Sequence, residues 1–109
     1  MRKIYQQKVL AEHKYPNFAK TFLRPVANPE IQLAYIKNEL DKTRSISDHQ
    51  KPNYTIDVTL REEVLEVMEA AAEERWADCM MELAQVGSVI LRAMEWVQTN
   101  KLNKETNNA

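Results

Sequence analysis

A single glycine, Gly87, serves a chain of 109 residues. Sandwiches and barrels reverse direction at every strand end, and those turns call for residues that tolerate positive φ. One glycine and four prolines cannot furnish them, so the chain is predicted to be all-α. The prolines (Pro16, Pro25, Pro29 and Pro52) all lie in the first half. Helix interiors reject proline, so the first half must break into shorter pieces while the second can run uninterrupted.

At 12.7 kDa the chain is one domain, too small for separate cofactor and substrate domains. With 44% hydrophobic and 28% charged residues it matches neither a disordered polyelectrolyte nor a membrane bundle. The one long apolar run, residues 79–97, contains Glu82, Gln85, Arg92 and Glu95, each costly in hydrocarbon, so it reads as a core helix and not a membrane span. A lone cysteine, Cys79, and the lack of a basic-then-apolar leader give the expectation of a cytoplasmic protein.

Residues 1–56 are expected to form a basic helical extension ending in a loop, 57–98 a helical hairpin, and 99–109 a frayed tail. Within the extension, residues 3–14 have helical composition and are stopped by Tyr15-Pro16. Asn28-Pro29-Glu30 supplies an N-cap, a proline at the first helical position and a first-turn acid, opening a helix to about Arg44. Residues 45–56 are polar and aperiodic, and are expected to form a loop that could close over a site. Thr59 and Glu62 have capping-box spacing, which predicts a helix over 60–74, and Asp78 is placed to cap a second over 78–98. That second helix is apolar round most of its circumference, with a narrow polar stripe of Glu82, Gln85, Ser88, Arg92 and Glu95. So much apolar surface needs covering, and self-association into a dimer or tetramer is expected, with Gly87 admitting a close backbone.

Net charge is −1, but the halves differ. Residues 1–56 carry ten Lys/Arg against five Asp/Glu; residues 57–109 carry five against eleven. The basic half lacks aromatic interleaving or a nucleic-acid motif, so it reads as a solvated face and argues against a nucleic-acid binder. His13, His49 and Cys79 have no partners at metal-ligand or nucleophile–base spacing.

The acids carry the functional signal. Glu63 and Glu66 share one edge of the first hairpin helix, and Glu82 and Gln85 repeat that spacing on the second. Folding the hairpin near residue 75 brings Glu66 level with Gln85, with Glu63 and Glu82 about one turn to either side. Three carboxylates and an amide oxygen converging at an apolar margin repel unless neutralised, and hard oxygen ligands suit Mg²⁺ or Mn²⁺. The alternative is a salt bridge from Glu82 to Arg75 or Arg92. Glu62, Glu69 and Glu73 fall further round the helix and read as a solvated face.

The segment Glu62-Glu63-Val64-Leu65-Glu66, followed after fifteen residues by Glu82-Leu83-Ala84-Gln85-Val86, resembles the ExxE…ExxD signature of the MazG-like all-α nucleoside triphosphate pyrophosphohydrolases. It is most similar to the phage and prophage branch, whose second motif ends in an arginine, here Arg92. The likeness covers about residues 59–97. It implies Mg²⁺-dependent hydrolysis of a nucleoside triphosphate, deoxyribonucleotides foremost, to monophosphate and pyrophosphate, with bundles completed by a second subunit. It implies Glu63, Glu66 and Glu82 as metal ligands, with Glu62 assisting. Gln85 stands where the wider family has Asp; an amide can coordinate but brings no charge and cannot act as a base.

A triphosphate also needs cations, and Arg92, Arg61 and Lys51 are the candidates, with Arg92 equally open to pairing with Glu95 or Glu82. Trp96, Tyr54 and Tyr35 could stack on a base or serve packing alone. The rival reading is a non-catalytic helical interaction protein on the same scaffold, and the third a nucleic-acid accessory protein using the basic half.

Overall fold

The computed structural model describes residues 2–103, which form an all-α helical bundle without strands among the described residues. The helices are α1 (Arg2–Lys14), α2 (Pro29–Gln50), α3 (Ile56–Ala72) and α4 (Trp76–Val97), the last continuing into a π-helical turn, Gln98–Leu102. Helix α3 is the middle layer: α2 packs on one side of it and α4 on the other, and α2 does not pack on α4. None of the residues of α1 is buried.

The core is small. Ile36 and Leu40 of α2 and Leu65 of α3 are buried, and Val67, Ala70 and Ala71 of α3 pack with Cys79 of α4. Leu23 and Val86 close over this cluster, and Phe22 meets Trp76 edge-on with ring centroids 5.8 Å apart. The radius of gyration is 17.0 Å, against about 13 Å for a compact chain of this length. The chain is therefore open in form, with overall extents of 55 × 42 × 22 Å.

One start signal and one stop signal act as expected or nearly so. The Asn28 side chain accepts from the backbone N–H of Glu30 (3.1 Å) and of Ile31 (3.3 Å), with Pro29 following it. Residues 2–14 are helical, and the helix ends before Tyr15.

Four expectations are corrected. Residues 45–50 are the last turns of α2 and not a loop. Ile36, Leu40, Thr43 and Ser47 recur at helical spacing and are all buried, so the core-facing stripe continues through small polar residues. The Thr43 hydroxyl donates to the Glu39 carbonyl at 2.8 Å, which satisfies it locally and lets a polar residue hold a core-facing position. Only residues 51–55 connect α2 to α3, clamped by Gln50: its Nε2 donates to Thr55 Oγ1 (2.9 Å), and its Oε1 accepts from the Thr55 N–H (3.1 Å).

Thr59 does not cap α3. That helix starts four residues earlier, with Thr55 at the N-cap position and Asp57 in the first turn. Nor does Asp78 cap α4, which starts at Trp76; Asp78 sits in its first turn, 2.6 Å from Arg75 Nη1. Beyond Val97 the chain stays helical to Leu102, so the predicted fraying does not begin at Thr99; residues 104–109 of that tail lie outside the described residues.

The turn between α3 and α4 is tight. Glu74 adopts φ 57°, the Glu74 N–H donates to the Ala71 carbonyl (3.0 Å), and the Arg75 N–H to the Ala70 carbonyl (2.8 Å). This paired closure ends a helix and turns the chain back, and it sets the antiparallel register on which the acidic residues depend.

Candidate metal and phosphate site

Three glutamates converge where α3 meets α4. Glu63, Glu66 and Glu82 are half-buried, and each offers a carboxylate oxygen within 4.8 Å of the others. The hairpin does this by register alone: Glu63 and Glu66 share a face of α3, and the turn at 73–75 brings the first third of α4 back against it.

Their electrostatics are unresolved by the protein itself. Glu63 Oε2 and Glu82 Oε2 are buried and accept no hydrogen bond. The Glu63 carboxyl is pushed up to about 7, first by burial and then by the charges of Glu66 and Glu82. Glu82 is also raised, first by burial and then by the Glu66 carboxylate beside it. The salt bridges weighed as the alternative are not formed. Arg75 is committed to Glu73 (2.9 Å), Asp78 (2.6 Å) and Glu69 (3.8 Å), and Arg92 pairs with neither Glu82 nor Glu95.

One cation does reach the cluster, and the sequence reading missed it. Arg44 of α2 lies 3.3 Å from Glu66 and 4.0 Å from Glu62. The pair spans two helices at a separation of 22 residues, so no local spacing rule exposes it. Glu69 and Glu73, expected to be solvated, face α2 instead, with Lys37 at 3.4 and 3.5 Å.

Glu62, next in sequence to Glu63, borders a cavity of about 570 Å³, walled by the end of α2, the connection, and the faces of α3 and α4, whose lining includes none of Glu63, Glu66 and Glu82. Its lining includes Lys51, Tyr54, Glu62, Arg92 and Trp96, residues up to 45 positions apart that the sequence reading had singled out separately. It also includes Ser47, Asp48 and Thr55, which fall in the segment expected to be a loop, and Thr59, expected only as a helix cap. Lys51 holds Asp48 at 3.2 Å, which raises the ammonium's pKa and keeps it charged.

Three expected members stand elsewhere. Arg61 donates to Glu39 at 2.9 Å and is not part of the cavity lining. Neighbouring residues of a helix point about 100° apart, so Glu62 can reach the cavity while Arg61 faces α2. Gln85 is exposed on α4, one turn beyond Glu82, and Tyr35 is exposed on α2, also outside the cavity lining.

The donor set fits a hard divalent cation: carboxylate oxygens only, two of them buried with nothing to bond, gathered at a separation one ion could bridge. No protein-family model, no curated protein and no solved structure matches the chain.

Proposed function

We propose that the chain is a divalent-metal-dependent hydrolase of nucleoside triphosphates, deoxyribonucleotides foremost, releasing monophosphate and pyrophosphate. The observation that carries this reading is the pair of buried, unbonded carboxylate oxygens on Glu63 and Glu82, beside a cavity that also presents Lys51 and Arg92. The motif likeness to the MazG-like enzymes supplies the reaction class.

Glu63, Glu66 and Glu82 would hold Mg²⁺ or Mn²⁺, with Gln85 adding an amide oxygen only if its exposed side chain turns inward. Such an ion would supply charge neutralisation at the phosphate oxygens and lower the pKa of a water. The remaining roles belong to this chain's side chains. Lys51 and Arg92 reach the cavity from the connection and from α4, and hold the phosphates by charge-assisted hydrogen bonds. Glu62 lines the cavity beside the cluster and is steadied by Arg44, so it can orient the attacking water and accept its proton. Trp96 and Tyr54 offer ring surface for a base.

The protein is further proposed to act in the cytoplasm and as a homo-oligomer. No helix is long and apolar enough to cross a membrane among the described residues. Nucleic acid is disfavoured because Lys37, Lys42 and Arg44 of the basic half are occupied by glutamates.

The deciding experiment is pyrophosphate release from a panel of ribo- and deoxyribonucleoside triphosphates with Mg²⁺ and with Mn²⁺. Wild type should turn over, and Glu82→Gln should lose about 10³-fold, the scale of removing a main electrostatic stabiliser. Absence of both turnover and metal binding would favour the non-catalytic interaction protein, a reading that the exposed Gln85, in place of a motif acid, and the uncovered face of α4 support.

A further inference from the structure

Helix α4 has one buried residue among 22, Cys79. Along the flank next to its α3-facing edge, with Ile90 nearest to α3, its residues form a charge-free stripe: Met80 (69% exposed), Leu83 (40%), Ala84, Gly87, Ile90, Leu91 and Met94 (36%). Gly87 lies at the centre of this stripe. A Cβ built on it meets nothing within 4 Å, so packing inside the protomer gives no reason for the chain's only glycine to stand mid-helix, where glycine is disfavoured.

The stripe is also symmetric about that glycine. Counting outward from 87, four residues away stand Leu83 and Leu91, seven away stand Met80 and Met94, and three away stand the small Ala84 and the larger Ile90. A two-fold axis through Gly87 sets position 87 + n of one antiparallel helix against 87 − n of the other. Leucine then meets leucine, methionine meets methionine, and Ile90 fills the space over Ala84 of the partner subunit. Self-complementarity of this kind is what an isologous contact requires.

We infer that a second copy of this chain covers α4, the two α4 helices crossing antiparallel at Gly87. The inference rests on the self-association reading above and not on the hydrolytic one. Charge agrees with it: the nearest flanking acid is Glu95, and the two-fold axis sets the two copies of Glu95 about 24 Å apart along the helices. The shape agrees as well. A cleft of about 720 Å³ opens between the start of α1, Leu60 of α3 and the second half of α4, where Ile90, Leu91 and Met94 are rimmed by Arg2, Lys3 and Glu95, and the first half of the partner's α4 would lie there. The open form of the protomer is consistent with an interior completed by a second chain.

Sedimentation equilibrium of wild type should give twice the 12.7 kDa chain mass, and Leu91→Glu should halve it while keeping its helical circular dichroism. Register is tested by oxidation, with buried Cys79 out of reach. Gly87→Cys should cross-link to itself; Met80→Cys should not, yet should cross-link when mixed with Met94→Cys. A wild-type monomer, a dimer that survives Leu91→Glu, or self-cross-linking of Met80→Cys would overturn the inference. If Leu91→Glu fails to fold, the cysteine pairs still decide. A monomer that releases pyrophosphate would remove this interface and leave the hydrolase standing; a dimer without turnover would do the reverse.

Discussion

Helix α3 presents carboxylates to both of its neighbours, and the two sides are treated in opposite ways. Toward α2, Glu69 and Glu73 meet Lys37, Glu62 and Glu66 meet Arg44, and in return Arg61 meets Glu39. Toward α4, Glu63 faces Glu82 with no cation of its own, and each keeps a buried oxygen unbonded. The first side is an ordinary partly exposed ion-pair seam, whose pairs individually contribute little. The second concentrates like charge in a place where burial makes charge costly, an arrangement that natural cores avoid unless a ligand resolves it. The lesson is that acidic content alone does not mark a site; the marker is acid without counter-charge.

Glu63→Gln is the sharpest way to break the contrast, and it should have the largest effect. Mn²⁺ affinity, read by titration calorimetry, should fall about 100-fold, some 2.8 kcal/mol at 1.4 per decade. The same variant has a pH signature. The folded-state pKa of Glu63, about 7, stands above its ordinary 4.5, so between those values the folded state binds the extra proton. The contribution to apoprotein stability is then fully present below about 4.5 and is lost as pH rises through 7. Thermal melts of the metal-free protein from pH 5 to 8 should show this decline in wild type and not in Glu63→Gln. Mn²⁺ competes with the same proton, so its apparent affinity should fall as pH drops below 7.

Arg44→Met tests the one cation that touches both sides. Freed of its partner, Glu66 adds full negative charge to the cluster, and Mn²⁺ affinity should rise several-fold, up to about tenfold. The metal-free protein should be less stable at pH 8 by about 1 kcal/mol. Unchanged affinity would show that Glu66 is not part of the cation site. Lys37→Met is the smallest of the set: it breaks pairs in the α2–α3 seam only, should cost under about 1 kcal/mol by denaturant titration, and should leave metal affinity untouched.

The helical class and the hairpin were legible in the sequence because they rest on strong local signals: the single glycine, the clustered prolines and the Asn28-Pro29 start. The triad of Glu63, Glu66 and Glu82 was legible too, since helix periodicity and a tight turn suffice to set the register. What escaped was non-local or masked by polarity. The last turns of α2 were hidden because their core-facing position is held by Ser47, a residue type that hydropathy assigns to loops. Arg44 escaped because only tertiary packing brings it to Glu66. Thr59 and Asp78 carry the chemistry of helix starts, yet both fall inside helices that begin earlier, at Ile56 and Trp76.

The cavity has a mechanical meaning as well as a chemical one. Helices α2 and α4 are joined only through α3, yet Ser47, Asp48 and Lys51 from one side and Val89, Arg92 and Trp96 from the other line the same space. A molecule filling it would act as the missing strut between the outer helices, turning a stack of two interfaces into a closed triangle. Occupancy and rigidity would then be linked: at a hundredfold excess over Kd, binding adds about 2.7 kcal/mol to the folded state, a large increment for a protein with so small a core.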